Sequence, residues 1–218
     1  MKVALIPVLE IPVTPDARRR HPTPPAGNFQ QNPAEWDDYQ RQLLSAGGFA
    51  DYPRVIPGYN FVLLDQWSLP DLRRLIQNHL LVDDERVNVA DSCALFGGGL
   101  LLLDGEPVLG PQCCSTLAEV GGWQQLVSPG FQSGFFYSEG HPAPRATRRK
   151  DTLLIECQDQ YQDFDPPAQP RITVEVARLA EAIAVAEAIV REFAQKIDQF
   201  STEFGVPQLS AHLVWAAS

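Results

Sequence analysis

The chain has 218 residues, of which 44% are hydrophobic and 20% are charged, a composition typical of a folded protein with a sizeable core. Its formal net charge of -10 disfavours nucleic acid as a partner, because an acidic surface repels phosphate backbones. No apolar run reaches the roughly 18–20 residues of a membrane span, and prolines interrupt the N-terminal apolar stretch before a signal peptide can form. With four cysteines, we expect free thiols in a reducing cytoplasm.

The first 33 residues predict a strand followed by an irregular loop. Residues 1–13 are rich in Val, Ile and Leu, which is typical of a β-strand. Residues 14–33 hold many prolines together with the basic island Arg18-Arg19-Arg20-His21. Pro and Gly at this density favour a solvated loop, and one basic triplet carries little specificity for a ligand.

Two helices and an extended segment are predicted next. Asn32 as N-cap and Pro33 at the first helical position begin a helix that Gly47-Gly48 ends. Residues 59–67 form an apolar run that predicts a strand or a buried extended segment. Ser68 then begins a capping-box variant, so a second helix is expected to follow it.

The centre of the chain predicts a hairpin. Residues 93–96 predict a strand, and the glycines at 97–99 then predict loosened backbone. Asp104-Gly105 lies between two apolar runs and predicts a type I′ turn, which needs positive φ at both central positions. Pro107 cannot donate to a strand ladder, so the second arm is expected at a sheet edge.

After the hairpin we expect a short helix and two strands. Ser115 is predicted to cap the helix, and Gly121-Gly122 to close it. Residues 134–138 and 152–157 predict strands, and the basic segment 139–151 between them predicts a loop.

The most regular pattern lies near the C-terminus, where apolar residues recur in steps of three and four from Val176 to Phe204. It predicts a helix over about 176–204, preceded by a short strand at 171–175 or by a direct connection, with Gly205 at its C-cap. The wide apolar stripe, with three phenylalanines, predicts that this helix covers a sheet; the alternative is the seam of a coiled-coil dimer.

These elements predict an α+β fold. Its main part is an antiparallel sheet with a hairpin, covered by the long C-terminal helix and by two or three shorter helices. We expect residues 1–218 to form a single domain.

The adjacent Cys113 and Cys114 are the first candidate site. Because free cysteine behaves as a small apolar residue, the favoured interpretation is that both are buried and pack the hairpin against the following helix. In the alternative, Cys114 is a nucleophile near a helix N-terminus and His141 is its base. His79 lies on a predicted helix face and His212 near the C-terminus, so neither is preferred as the base.

Other cysteine chemistry is less favoured by the spacing. A zinc site would require Cys93 and Cys157 to converge with the adjacent pair, and adjacent cysteines lack the spacing of two to four that structural zinc sites use. A disulfide between Cys113 and Cys114 would strain the backbone. We therefore predict neither a metal nor a cofactor.

The second candidate site is the acidic, proline-rich stretch 158–170. Asp159, Asp163 and Asp165 lie in it, and they lack the glycine and the terminal glutamate of an EF-hand. Both a solvated loop and a docking surface for a basic partner fit the pattern. The sequence has no Walker loop and no Rossmann fingerprint.

The stretch 102–126, LLDGEPVLGPQCCSTLAEVGGWQQL, resembles uncharacterised bacterial proteins in which a strand, a Gly-centred turn, PQCC, a short helix and a Trp follow one another. Some of these proteins are grouped with immunity proteins of polymorphic toxin systems. The matching positions are Asp104, Gly105, Pro111, Gln112, Cys113, Cys114, Leu117 and Trp123. Ser115 departs from the pattern, where a glycine is expected. The resemblance implies a bacterial, cytosolic protein with a protein-binding role, and it carries no catalytic residues.

The function expected from these observations is non-enzymatic protein binding. Its specific form is an immunity protein that covers the active site of a basic bacterial toxin, with Asp159, Asp163 and Asp165 as contact residues. One alternative is a cysteine-dependent hydrolase or transferase that uses Cys114 with His141. A second alternative is a structural subunit that dimerises through the C-terminal helix, so both a monomer and a homodimer are considered.

Overall fold

The computed structural model describes residues 1–20, 23–27, 29, 31–82, 85–136 and 140–216. In chain order the elements are β1 (Val3–Glu10), α1 (Pro15–Arg20), α2 (Pro33–Ala46), β2 (Phe61–Leu63), α3 (Leu69–His79), β3 (Leu81–Val82), β4 (Glu85–Arg86), β5 (Gly97–Leu103), β6 (Glu106–Leu109), α4 (Val120–Val127), β7 (Ser133–Phe135), β8 (Arg145–Arg149), β9 (Thr152–Glu156), β10 (Arg171–Glu175), α5 (Val176–Asp198), α6 (Ser201–Phe204) and α7 (Leu209–Leu213).

The chain divides into two compact units, each made of two stretches of sequence. The first unit combines Met1–Val8 with Phe96–Glu192, and the second combines Leu9–Leu95 with Phe193–Ser218. The single-domain organisation stays a prediction, and the units are described one after the other.

The predicted hairpin is present in the first unit as β5 and β6. Leu103 pairs with Glu106, and the two turn residues Asp104 and Gly105 have φ of 52° and 93°, as a type I′ turn requires. β5 lies between β1 and β6, so β6 is at the edge, where Pro107 was expected.

The glycines at 97–99 are part of β5, so the prediction of a strand at 93–96 followed by loosened backbone is wrong. Close packing explains why glycine occupies this strand. A Cβ on Gly99 would lie 2.7 Å from Cδ1 of Leu5 and 3.0 Å from Nε1 of Trp123. The missing side chain therefore lets β5 approach its neighbours closely.

The second sheet of this unit is antiparallel throughout, in the order β10-β9-β8-β7. The predicted loop at 139–151 is wrong for residues 145–149, which form β8. Ala146 faces the core between the exposed Arg145 and the half-buried Thr147, so Arg145 and Arg149 occupy outward positions of the strand, and Arg148, on the same face as Ala146, is half-buried. Glu139 of that predicted loop, and Tyr137 and Ser138 of the strand predicted at 134–138, lie outside the described residues.

The core of the first unit lies among both sets of strands and the helices α4 and α5. Its buried residues are Leu5, Leu101, Val108, Leu109, Trp123, Leu126, Phe136, Ala146, Leu153, Ile155, Cys157, Phe164, Ile172, Val174, Leu179, Ala182, Ile183 and Ala186. The predicted closure of a helix at Gly121-Gly122 is wrong, because α4 continues through both glycines and thereby places Trp123 in this core.

The long C-terminal helix is shorter than predicted, since α5 ends at Asp198 and α6 follows as a separate turn. The N–H groups of Gln199 and Phe200 bond to carbonyls three residues earlier, which tightens and ends the α-helix. Gly205, predicted as the C-cap of the long helix, has φ of 72° and caps the separate α6. The apolar stripe is buried, as expected for core, at Leu179, Ile183, Ala186, Val190, Phe193 and Ile197.

In the second unit, one of the two predicted N-caps is confirmed and the other is not. Ser68 caps α3 as predicted, with its Oγ accepting a hydrogen bond from the backbone N–H of Asp71 at 3.3 Å. Asn32 does not cap α2 with its side chain, whose Nδ2 donates instead to the carbonyl of Ala26 at 2.7 Å. α2 ends as expected at Ala46, and of residues 59–67 only 61–63 form a strand.

The predicted loop at 14–33 contains α1, so that prediction is wrong for residues 15–20. Thr14 Oγ1 accepts a hydrogen bond from the N–H of Ala17 at 3.2 Å, and Pro15 occupies the first helical position. His21 and Pro22 lie outside the described residues.

The α+β fold class is confirmed by the antiparallel sheets and the accompanying helices. None of the helices in the described ranges is long and apolar enough to cross a membrane.

Candidate functional site

Cys113 and Cys114 are exposed, so the prediction that they are buried in the core is wrong. They lie in a turn whose flanking residues face inward. Gln112 and Ser115 are buried, and the backbone N–H of Gln112 donates to Ser115 Oγ at 3.1 Å, while the N–H of Ser115 donates to the Gln112 carbonyl at 3.1 Å. Ser115 therefore closes this turn and does not cap a helix. Cys114 has φ of 65°, and this left-handed backbone turns the chain so that both thiols point outward.

The turn brings the two thiols close to each other. Cys113 Sγ and Cys114 Sγ are 3.5 Å apart, which is a thiol–thiol contact and not a disulfide, whose S–S bond is about 2.05 Å. Both residues are thiols outside any disulfide, as expected from the sequence.

His141 lies beside the cysteine turn. Its backbone N–H donates to the Cys113 carbonyl at 3.0 Å, and the two residues form an isolated antiparallel bridge. The ligand atoms of Cys113, Cys114 and His141 all lie within 4.8 Å of one another, and all three residues are exposed. We call these three residues the thiol–imidazole cluster. The structure thus brings together the predicted nucleophile Cys114 and its predicted base.

Two further side chains hold His141 in place. Its Nδ1 is 3.2 Å from Gln162 Oε1, and since that oxygen can only accept, the contact favours the tautomer with the proton on Nδ1. The buried carboxylate of Glu119 accepts a hydrogen bond from the N–H of Gly140 at 2.7 Å, which fixes the backbone just before the histidine.

Asp159, Asp163 and Asp165 are exposed and lie on one connection between β9 and β10. We call residues 157–170 the acidic loop. The N–H of Cys157 donates to the carbonyl of Pro170 at 3.0 Å, so the two ends of the loop are joined. The loop is therefore closed on itself at its base.

The buried amide of Gln112 fixes the second half of the acidic loop. Its Oε1 accepts from the N–H of Asp165 at 2.8 Å, and its Nε2 donates to the carbonyl of Pro166 at 3.1 Å. The Phe164 side chain packs into the core of the first unit. One glutamine thus links the cysteine turn to the acidic loop.

The middle of the acidic loop is exposed. Asp159 Oδ1 accepts hydrogen bonds from the N–H groups of Tyr161 and Gln162 at 2.7 and 3.1 Å, which forms an Asx turn. Tyr161 follows with 85% of its surface exposed, the largest exposure among the bulky apolar and aromatic residues that the structure describes. The loop therefore presents an aromatic ring between carboxylates.

The other cysteines and histidines that the structure describes do not join the cluster. Cys157 is buried, and burial raises the pKa of its thiol to about 12. The convergence of Cys157 with the adjacent pair, which a four-cysteine zinc site would need, does not occur among the described donors. In the second unit Cys93 is exposed and His212 is half-buried. His79 is buried with Nε2 2.8 Å from the Cys93 carbonyl, and desolvation lowers its pKa.

Sequence reasoning missed the supporting residues of both sites. In the sequence, Gln112 stands out only as part of the PQCC match, and no pattern indicates a role for Glu119 or Gln162. A glutamine between proline and cysteine in an apolar neighbourhood could have been suspected as a buried hydrogen-bonding residue. Nothing in the sequence points to Gln162, because its role depends on the folding of the acidic loop.

Comparisons of the chain with protein-family profiles, with curated proteins and with solved structures find no match.

Proposed function

We propose that this chain is a non-enzymatic protein that binds a basic partner protein through its acidic loop, as the resemblance to immunity proteins of polymorphic toxin systems implies. The observation that carries the proposal is the exposure of Tyr161, at 85%, on a loop whose two flanks are fixed. The partner class is a cationic protein such as a nuclease toxin.

A fixed loop suits binding because less conformational entropy is lost when the complex forms. The Gln112 side chain and the Asx turn at Asp159 already hold the loop backbone in the free protein. Tyrosine is among the residues that contribute most to binding energy at interfaces, since it buries a large rigid surface and keeps a hydroxyl to donate.

The carboxylates around Tyr161 supply the complementary charge. Asp159, Asp163 and Asp165 are exposed, and the chain as a whole carries a formal net charge of -10. Such a surface speeds the encounter with a basic protein and excludes acidic ones, and added salt weakens both effects.

The charge part of this proposal is tested with the product of the adjacent gene as the partner. Calorimetric titration at low and at physiological salt is expected to give a one-to-one complex that weakens as salt increases. Replacing Asp159, Asp163 and Asp165 together by Asn should weaken binding about tenfold or more. Asparagine keeps the acceptor oxygen of the Asx turn, so the loop geometry is retained.

A matched control separates the local charges from net charge. The triple variant Glu85→Gln, Glu106→Gln, Glu181→Gln removes the same number of charges from exposed positions outside the loop. It should bind nearly as well as the unchanged protein. Equal weakening by both triple variants, or a salt-independent affinity, would contradict a role for the loop carboxylates.

The aromatic part is tested by Tyr161→Ala, which should cost about 2 kcal/mol of binding free energy. Phe135→Ala is the matched control, because Phe135 is also an exposed aromatic residue, at 68%, and lies on β7. A larger loss for Phe135→Ala than for Tyr161→Ala would place the interface elsewhere.

A second candidate is a hydrolase or transferase that uses Cys114 with His141 as its base. The observation that favours it is the distance of at most 4.8 Å between their ligand atoms. A nucleophilic Cys114 should be alkylated with a pH midpoint well below the roughly 8.5 of a free thiol, and His141→Gln should raise that midpoint. A midpoint of about 8.5 that His141→Gln leaves unchanged would exclude this function.

The third expectation, dimerisation through the C-terminal helix, stays a prediction. The apolar stripe of α5 contributes Leu179, Ile183 and Ala186 to the core of the chain's own first unit. On another side of the helix Val185 is 61% exposed. A light-scattering mass of about twice the 24.1 kDa chain would support the dimer, and a monomer mass would contradict it.

A further inference from the structure

We infer that Cys113, Cys114 and His141 form a surface site for a thiophilic d10 metal ion, for which Zn²⁺ is the test case. This inference goes beyond partner binding by the acidic loop and does not depend on it. The three residues are the group of metal-ligating side chains that the described ranges bring together.

The donor set defines the class of ion. Two thiolates and one imidazole are soft to borderline ligands, which Zn²⁺ and Cu⁺ prefer over carboxylate and carbonyl oxygens. Mg²⁺ and Ca²⁺ prefer oxygen ligands, so they should not bind here. Three protein ligands leave a tetrahedral ion with one open position, and the exposure of the cluster leaves that position accessible from solvent.

The distances are close to those that a bound ion needs. With Zn–S bonds of about 2.3 Å and a tetrahedral angle, two sulfur ligands lie about 3.8 Å apart. The observed distance between Cys113 Sγ and Cys114 Sγ is 3.5 Å. A sulfur and a nitrogen ligand would lie about 3.6 Å apart, and no pair of donors in the cluster is separated by more than 4.8 Å. Adjustments of about 1 Å by exposed side chains therefore complete the geometry.

The backbone already holds the donors on one side of the turn. Neighbouring residues in extended backbone point to opposite faces, which would separate two adjacent thiols. The left-handed conformation of Cys114, with φ of 65°, removes that alternation. The hydrogen bond from the His141 N–H to the Cys113 carbonyl then joins His141 to the turn.

Gln162 supplies the support that metal-binding histidines usually have. Such histidines donate their second ring N–H to an acceptor, which fixes the tautomer and the orientation of the ring. Gln162 Oε1 lies 3.2 Å from Nδ1 of His141 and can accept a hydrogen bond from that N–H. In this tautomer the lone pair is on Nε2, and we therefore assign the metal contact to Nε2. Gln162 is a positioning residue and would not contact the ion.

A disulfide between Cys113 and Cys114 explains this arrangement poorly. A hydrogen bond between two thiols contributes little, and an ordinary disulfide needs Cα atoms 4.4–6.8 Å apart, whereas adjacent Cα atoms are about 3.8 Å apart. Metal binding therefore accounts better than a disulfide for two exposed thiols and an oriented imidazole at these distances.

Cobalt(II) is the spectroscopic probe for the site, because it replaces Zn²⁺ and reports thiolate ligands directly. Under anaerobic, reducing conditions we expect Co²⁺ to bind one-to-one with a thiolate-to-cobalt charge-transfer band, and Zn²⁺ but not Mg²⁺ to remove that band. Cys113→Ser and Cys114→Ser should each reduce the band by about half and weaken Co²⁺ binding at least tenfold. Cys93→Ser is the matched control, since Cys93 is exposed in the other unit, and it should change neither quantity.

The role of Gln162 has its own test. Gln162→Ala should weaken Co²⁺ binding by about tenfold while leaving the charge-transfer band intact at saturation. Gln162→Glu keeps an acceptor and should restore the affinity. Gln125→Ala, an exposed glutamine of α4, is the control and should have no effect.

A second measurement uses the unchanged protein and so does not depend on the folding of any variant. Zn²⁺ should protect Cys113 and Cys114 from alkylation at least tenfold, as read by mass spectrometry, and should leave Cys93 unprotected. The inference is overturned by the lack of a charge-transfer band, by a band that survives in the double variant Cys113→Ser, Cys114→Ser, or by equal protection of Cys93.

Discussion

Cys157 and the pair Cys113 and Cys114 lie in the same unit of the chain and have opposite environments. Cys157 follows β9 and is buried in the core, where the lack of solvent raises the pKa of its thiol to about 12. The pair lies in an exposed turn, with the inward positions taken by Gln112 and Ser115. Whether a cysteine is buried therefore depends on the direction in which the local backbone points its side chain. Of these three thiols, only those of Cys113 and Cys114 are accessible to a ligand.

The largest loss of stability is expected when a buried side chain of the core is removed. Trp123→Ala removes a fully buried ring beside Phe136 and should lower the free energy of unfolding by about 3–5 kcal/mol. Tyr161→Ala removes an exposed ring and should change it by less than about 0.5 kcal/mol. Urea unfolding measures both, and similar losses for the two variants would contradict the burial that the structure assigns.

The next largest loss of stability is expected for a variant of Gln112, whose buried side chain holds the acidic loop. Gln112→Ala leaves the N–H of Asp165 and the carbonyl of Pro166 without their partner and should cost about 2–3 kcal/mol of stability. Hydrogen exchange should also become faster for the Asp165 amide. Gln125→Ala on the exposed side of α4 is the control, and an unchanged exchange rate in Gln112→Ala would show that the amide does not hold the loop.

Two histidines also differ in burial, since His79 is buried and His141 is exposed. Burial lowers the pKa of His79 below its ordinary value of about 6.5. The unfolded chain therefore binds a proton at a higher pH than the folded one, so the stability contribution of neutral His79 is fully present above about pH 6.5. It is lost as the pH falls toward the lower pKa of the folded state.

The measurement for His79 is urea unfolding between about pH 5 and pH 7.5. Each unit by which the pKa is lowered corresponds to about 1.4 kcal/mol, and His79→Gln should flatten the dependence. The carboxyls of Asp37 and Asp71, whose pKa values are lowered by hydrogen bonds from Arg54 and Ser68, act below about pH 4 and so fall outside this window. A pH dependence unchanged in His79→Gln would contradict the assignment.

The smallest change in stability is expected when the exposed thiols of Cys113 and Cys114 are replaced. Cys113→Ser and Cys114→Ser should each alter the free energy of unfolding by less than about 0.5 kcal/mol, because neither side chain fills the core. Cys157→Ser places a hydroxyl in the core and should cost about 1–3 kcal/mol. Thermal unfolding of the three variants measures these changes. A larger loss of stability for Cys113→Ser than for Cys157→Ser would contradict the exposure of Cys113 and the burial of Cys157.

Local signals predicted most of the elements. The Asp104-Gly105 hairpin, the Ser68 cap and the apolar stripe of α5 were all read from patterns that span a few residues. Where such a signal failed, packing between distant segments decided the outcome. Gly97–Gly99 form a strand because β5 must approach Leu5 and Trp123, and no local rule contains that information.

The candidate site was predicted only in part. Cys114 and His141 were paired from the sequence as nucleophile and base, and the structure places their ligand atoms within 4.8 Å. Nothing in the sequence indicated that Gln162 of the acidic loop would contact His141. The interpretation of the cysteines as core residues followed from their small apolar character. The left-handed backbone at Cys114, which points both thiols outward, is a property of the folded turn.

The most direct test of this account is the rate at which each cysteine is alkylated in the native protein, measured against pH with mass spectrometry to identify the sites. We expect Cys113 and Cys114 to react in the native state, together with the exposed Cys93, and Cys157 to react only after unfolding. Protection of Cys113 and Cys114 until the protein unfolds would contradict it, because the pair would then belong to the core and could not bind a ligand.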